Sequence, residues 1–213
     1  MTNPDLTHIE FLLDRSGSME SIKDDIEGGF NAYIAEQAKD PGECTVSLTQ
    51  FDNQFEPVFT AVDIKQVGKL NLVPRGGTAL LDALGQSIAA LGQRLSALPE
   101  DQRPGTVIFA IMTDGMENAS REFTHAAIKE MITRQEKEYN WQFLYMGADQ
   151  DAIEVGMSIG IDQGRSLSYS RGRSQEAYAA SSKLTSALKQ ASKAGAPMAD
   201  VQYEPADRTS TQE

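Results

Sequence analysis

Short apolar runs alternate with amphipathic stretches along most of this chain. Residues 8–13 form a brief apolar-rich run that ends at Asp14 and predicts a strand. From 20 to 38, Ile22, Ile26, Phe30, Tyr33 and Ile34 recur at helical spacing, and Asp40-Pro41-Gly42 stops that helix. Residues 44–51 and 54–62 read as strands separated by Asp52-Asn53, a tight hairpin and hence an antiparallel pair. After the loop Pro74-Arg75-Gly76-Gly77, the residues Leu80, Leu81, Leu84, Ile88, Leu91 and Leu95 form the buried stripe of a second helix. Residues 106–112 are almost continuously apolar, as in a central parallel strand. A helix over 123–137, a strand over 141–146, a short helix over 151–158, an edge strand over 166–169 and a closing helix over 174–193 complete the pattern. Beyond Gly195-Ala196-Pro197 the chain is polar and unpatterned. The expected organisation is one domain over 1–194 and a flexible tail over 195–213.

Strand–helix alternation with a single hairpin implies a doubly wound α/β fold. Its sheet is mostly parallel, with one antiparallel edge strand and helices on both faces. Ligands in such folds bind beyond the carboxyl ends of the strands, where the strand order reverses. Asp14 follows the first strand and Asp114 follows the run 106–112. If those strands are neighbours, the two carboxylates meet.

Composition narrows the partners. With 31 acidic and 19 basic side chains the 213-residue chain has a formal charge of −12, a field that repels phosphate backbones, so nucleic acid is not an expected partner. Residues 165–194 run against this, with six basic side chains and the single acid Glu176; a solvated helix face and a docking patch both fit that bias. Cys44 is the only cysteine, which excludes an intramolecular disulfide. No apolar run approaches the ~18 residues of a membrane span, and Met1-Thr2-Asn3-Pro4-Asp5 does not open a secretory leader. The expected location is the cytoplasm, away from membranes.

The stretch Asp14-Arg15-Ser16-Gly17-Ser18 carries the clearest chemistry. Its carboxylate and two hydroxyls are two residues apart, so an extended backbone puts them on one side, and Gly17 permits a sharp turn between them. Hard oxygen ligands of this kind suit Mg²⁺, Mn²⁺ or Ca²⁺ rather than Zn²⁺. The same residues also read as a capped helix start, with Ser16 or Ser18 as N-cap. Two further elements bear on the choice. Gly76-Gly77-Thr78 presents a threonine at a helix start, and Met112-Thr113-Asp114-Gly115 ends the apolar strand on an aspartate and a permissive turn residue.

These three separated parts, in this order, resemble the von Willebrand factor type A domains, among them stand-alone intracellular bacterial or phage-type members, over roughly residues 6–170. The resemblance implies a metal-ion-dependent adhesion site holding one divalent cation, Mg²⁺ before Mn²⁺ or Ca²⁺. Ser16 and Ser18 would bind it directly, Thr78 in the ligand-occupied state, and Asp14 and Asp114 directly or through water. It also implies a protein partner that supplies an aspartate or glutamate to the position left open. The function expected is thus a cation-dependent adaptor. The alternatives are a metal-stabilised structural or assembly protein, and a metal-dependent phosphatase-like enzyme.

Arg15, Met19, Arg75, Met116 and Glu117, with Asn118, fall on loops at the same edge and are candidates for a partner-contacting rim; plain surface or supporting structure is the simpler reading of each. Asp149 and Asp151 read as caps of the next helix. An enzyme is not expected. A haloacid-dehalogenase-like phosphatase needs a second aspartate where Ser16 stands, and neither G-x-S-x-G nor a phosphate-binding glycine motif occurs.

Overall fold

The computed structural model describes residues 2–212, so Met1 and Glu213 at the two ends of the expected domain and tail lie outside the described residues. The first strand, β1 (Asn3–Asp14), is longer than the sequence pattern predicts and sits mid-sheet, paired in parallel with both β2 (Glu43–Phe51) and β4 (Pro104–Thr113). From Thr7 onward every residue of β1 is buried, because both of its faces are covered. With β3 (Phe55–Asp63), β5 (Gln142–Ala148) and β6 (Ser166–Tyr169) the sheet order is β3-β2-β1-β4-β5-β6. Only β3 is antiparallel, joined to β2 by the hairpin at Asp52. The chain moves outward from β1 to β3 and then returns past β1 to start β4. The order therefore reverses between β1 and β4, where Leu13 pairs with Met112. Asp14 and Asp114 emerge side by side at that crevice.

Alternation along β1 feeds two cores. Ile9, Phe11 and Leu13 face α1 (Lys23–Gln37) and α5 (Ser174–Lys193); Phe11 meets Phe30 edge-on at 5.1 Å and Tyr33 at 5.0 Å. Leu12 faces α2 (Leu80–Ala97) and α3 (His125–Tyr139), with Phe109, Ile111 and Phe143. The helix expected over 20–38 divides in two. Gly17–Ile22 is a tight 3₁₀ turn, and the α-helix starts only at Lys23. Among the described residues no helix is long and apolar enough to cross a membrane.

The middle of β1 is fastened by a buried polar cluster. His8 Nδ1 meets Thr45 Oγ1 at 2.9 Å, and Arg94 Nη2 reaches both His8 Nε2 (2.9 Å) and Glu10 Oε2 (3.2 Å). Burial pushes the His8 imidazole below its ordinary 6.5, with the Arg94 charge adding to burial and Glu10 opposing both. A base depressed in the folded state contributes stability above its unfolded value, and that contribution is lost as pH falls through the folded value.

The expected tail is corrected by the structure. Residues 198–212 pack along β6 and α5 in a short turn, Met198–Asp200, and a small helix, α6 (Pro205–Ser210). Two carbonyls on the outer edge of β6 supply the reason. Ser166 O accepts from Arg208 Nη1 at 2.9 Å, and Ser168 O accepts from Thr211 Oγ1 at 2.9 Å. Covering an open edge satisfies backbone groups that no apolar periodicity reports. Tyr203 is buried, and its hydroxyl meets Ser181 Oγ at 2.6 Å.

The basic stretch 165–194 is divided: two of its six basic side chains are buried, while Arg171, Arg173 and Lys183 remain substantially exposed. Arg165 is buried against Met198 O, Val201 O and Gln142 Oε1, Lys189 is buried against Gln37 and Asp40, and Lys183 pairs with Glu204.

NMR titration of the His8 imidazole should give a midpoint below 6.5; a midpoint at or above it would contradict the buried neutral ring. Tyr203→Phe should cost about 1 kcal/mol, or roughly 2–4 °C in Tm for a chain of this size. Deleting residues 196–213 should lower Tm further, and a truncated chain as stable as the full one would show that this segment does not hold β6.

Candidate metal centre

Three loops converge on the crevice, and backbone hydrogen bonds tie them together. Past β1, Gly17 N–H donates to Gly76 O (3.1 Å), and Arg75 N–H donates to Arg15 O (2.8 Å). Gly76 has φ +70, and a Cβ there would lie 2.5 Å from Asn53 Oδ1, so only glycine lets this loop close on the hairpin. Thr78 is clamped from the loop after β4. Its N–H donates to Asn118 Oδ1 (2.9 Å), and its carbonyl accepts from Asn118 N–H (3.0 Å) and Ala119 N–H (3.2 Å).

The five residues singled out by sequence come together at this point. Asp14 Oδ1 accepts from Ser16 N–H at 2.6 Å, and Asp14 Oδ2 accepts from Thr113 Oγ1 at 2.5 Å. Ser16 Oγ lies 3.0 Å from Ser18 Oγ, which donates to Asp114 Oδ1 at 2.6 Å. A Cβ on Gly115 would stand 2.5 Å from Thr78 Oγ1 and 3.4 Å from Asp14 Oδ2, so the glycine keeps open a cradle that any side chain would fill. Ser16 forms no side-chain cap to the 3₁₀ turn it precedes, which leaves its hydroxyl to the cluster rather than to a helix start.

Two buried carboxylates in one crevice are electrostatically costly. Asp14 is fully buried, and its carboxyl is pushed up to about 6, first by burial and then by the Asp114 charge, against the pull of hydrogen bonds from Thr113 and Ser16. Asp114 is also raised, chiefly by burial, while the Ser18 hydroxyl and the Arg171 charge draw it back. Among the described residues no group of three or more His, Cys, Asp or Glu gathers as a metal site. This cluster instead combines two carboxylates with three hydroxyls, a hard all-oxygen set. Around an octahedral Mg²⁺ with ligands at ~2.0–2.1 Å, neighbouring oxygens stand about 2.9 Å apart; the Ser16–Ser18 and Ser18–Asp114 separations of 3.0 and 2.6 Å bracket that spacing. On donor chemistry, open cradle and negative charge that Arg171 offsets only in part, the residues fit a hard divalent cation.

The expected rim is corrected at two positions, Met19 and Arg15, and the others stay at least partly exposed. Met19 is fully buried in the α1 core, not on the rim. Arg15 is buried too, paired with Asp52 (3.1 Å) and Glu56 (2.7 Å). Arg75 is half-exposed but engages the same Asp52 at 2.7 Å, so its role is to fix the loop. Glu117 accepts from the N–H groups of Leu81, Ala119 and Ser120 and thereby caps α2. Asn118 is taken up by Thr78. Met116, 73% exposed, is the rim candidate that stands free at the surface. Asp151 caps α4 (Ala152–Ser158) as expected, whereas Asp149 does not: its carboxylate holds Arg171.

Sequence reasoning missed Thr113 and Arg171 as contacts of the two aspartates. Thr113 lies in the quoted motif, whereas Arg171 is 57 residues from the Asp114 that it meets, and no local pattern links them.

Gly115→Ala should fold, since its backbone is not in the left-handed region, but with a lower Tm, at a cost of roughly 1–3 kcal/mol for a methyl forced against Thr78 Oγ1. It should also abolish any stabilisation by Mg²⁺ in a thermal melt. Retention of the full Mg²⁺ effect in this variant would place cation binding elsewhere.

No family model matches the chain, and no curated protein is similar to it by sequence. Solved structures do match. The ArnB paralog VWA2 from Sulfolobus acidocaldarius superposes with a TM-score of 0.52 at 19% identity, over 83% of this chain and 44% of that one. Proximal thread matrix protein 1 from the mussel byssus, in a structure with a zinc-occupied MIDAS motif, gives 0.58 at 15% identity, over 86% of this chain and 47% of that one. The vWF domain of the type V pili tip protein Mfa5 from Porphyromonas gingivalis gives 0.58 at 10% identity, over 84% of this chain and 94% of that one. The chain thus spans less than half the length of the first two. At these identities the likeness is one of architecture, and the architecture is plain: this chain has the von Willebrand factor type A fold.

Proposed function

We propose that this protein is a binding module that captures an acidic side chain of a protein partner through one divalent cation, Mg²⁺ before Mn²⁺ or Ca²⁺, held by Asp14, Ser16, Ser18, Thr78 and Asp114. The observation that carries this reading is the pairing of two buried carboxylates, only one of which has an arginine partner, with three convergent hydroxyls around a cradle kept open by Gly115. When bound, the cation supplies an electrophilic centre for an external carboxylate. The chain's own residues hold that centre in place. Two acidic groups match the charge of a dication, and neutral hydroxyls leave it short of negative charge. The similarity to an archaeal, a mussel and a pilus protein of the same fold supports the reading without naming a partner.

Binding is favoured over catalysis by how the carboxylates are engaged. Both oxygens of Asp14 accept hydrogen bonds, from Ser16 and Thr113, and both oxygens of Asp114 do so, from Ser18 and Arg171. Neither is poised as a free general base. A cation that only braced the fold would need no open cradle on an exposed edge, and Ser18 is exposed there.

Adding Mg²⁺ or Mn²⁺ to chelated protein should raise Tm. A hundredfold excess over Kd stabilises by about 2.7 kcal/mol, or roughly 5–10 °C for a domain of this size. Asp14→Ala should remove the shift and keep a native far-UV spectrum. Capture of a protein partner from lysate should require the cation and weaken with Thr78→Ala, which removes one neutral ligand and no charge. Equal capture in EDTA and in Mg²⁺, by wild type and Thr78→Ala alike, would sink the adaptor reading and leave a stabilising cation.

A further inference from the structure

Arg171 stands beside the candidate centre with its charge held in one direction. It follows β6 and is gripped by Asp149, whose Oδ1 accepts from the Arg171 N–H (3.1 Å) and whose Oδ2 lies 3.2 Å from Nε. Asp149 is itself fixed with φ 48, its N–H donating to Tyr169 O at 2.9 Å. The clasp aims Nη2 at Asp114 Oδ2, 3.3 Å away. The two oxygens of Asp114 therefore look in opposite directions: Oδ1 faces the hydroxyl cluster through Ser18, and Oδ2 faces the guanidinium. The Asp114 side chain is wholly buried while that of Arg171 is 45% exposed, so the pair runs from the floor of the crevice to its mouth. Among the described residues Nη1 has no protein acceptor.

We propose that Arg171 is a second anchor for the captured carboxylate, one that weakens the site's hold on the bare cation and strengthens its hold on the acidic ligand. The inference rests on the cation-dependent reading above. Asp114 would be shared between guanidinium and cation, and each positive charge lowers the affinity of the shared carboxylate for the other. A carboxylate arriving at the mouth meets both positive charges, so the same arrangement favours it twice. Arginine suits the task because its planar fork keeps Nε on Asp149 and Nη2 on Asp114 while Nη1 addresses an incoming carboxylate. The device would make the empty site reluctant and the occupied site firm, tying retention of the cation to the presence of the partner.

The test uses the full chain, chelated and then titrated by calorimetry with Mn²⁺, followed by glutarate added to the Mn²⁺-saturated protein. Compared with wild type, Arg171→Gln should bind Mn²⁺ several-fold more tightly and glutarate roughly tenfold more weakly, the loss expected for one charge-assisted hydrogen bond. Arg171→Lys keeps the charge without the fork. It should match wild type for Mn²⁺ and still lose affinity for glutarate. If wild type and Arg171→Gln take up Mn²⁺ equally and bind glutarate equally, this inference is overturned while the cation site stands. If Arg171→Gln binds Mn²⁺ more weakly, Arg171 merely orients Asp114 and the inference is again overturned. If wild type takes up no Mn²⁺, the cation reading falls and this one with it.

Discussion

The burial of Asp14 and Asp114 in one crevice is the constraint around which this end of the molecule is built. Parallel pairing of β1 with β4 forces the two residues into one crevice, and burial denies them the water that would screen them. Each nearby feature offsets part of that cost. Thr113 and Ser16 donate to one carboxylate, Ser18 and Arg171 donate to the other, and Gly115 preserves the space between. None of these donors supplies two units of positive charge, which is why the arrangement makes better physical sense around a dication than without one.

The layers beneath serve to keep the two strand ends in register. β1 is buried on both faces and anchored at its middle by the His8, Glu10 and Arg94 cluster, so a slip of one residue would disturb two cores and a buried polar network together. Loops then inherit this precision. Thr78 is distant in sequence from Asp14, yet the two Asn118 hydrogen bonds and the Gly17–Gly76 bond place it without reliance on its own side chain.

Much of this was legible in the sequence because periodicity and motif spacing are local signals. β6 and α5 appear over the residues the pattern predicts, and the strand order brings Asp14 to Asp114 as the alternation implies. What escaped was tertiary. The segment after Gly195 looks unstructured because its attachment is made by Arg208 and Thr211 to carbonyls of β6, a need that belongs to the sheet edge and not to the segment. Arg171 was read as part of a basic stretch because its partners Asp114 and Asp149 lie on other strands' ends. Met19 is different. With Ile22 and Ile26 it stands at helical spacing on one face, and that signal, followed one turn further back, would have placed it in the core.

The hairpin between β2 and β3 looks from outside like an ordinary surface turn, the sort of place where foreign sequence is commonly spliced into a protein. It is the wrong place here. The Asp52 carboxylate at its start accepts from Gln54 N–H and from the guanidinium groups of both Arg15 and Arg75, while Asn53 receives Gly77 N–H. One short turn thereby staples the chain on either side of the crevice. Lengthening it would leave the sheet standing and unfasten the loops that carry Ser16 and Thr78. Epitope tags, reporter peptides and circular-permutation breakpoints are better tolerated at the far pole, around residues 99–103, where the chain passes between α2 and β4 well away from these loops.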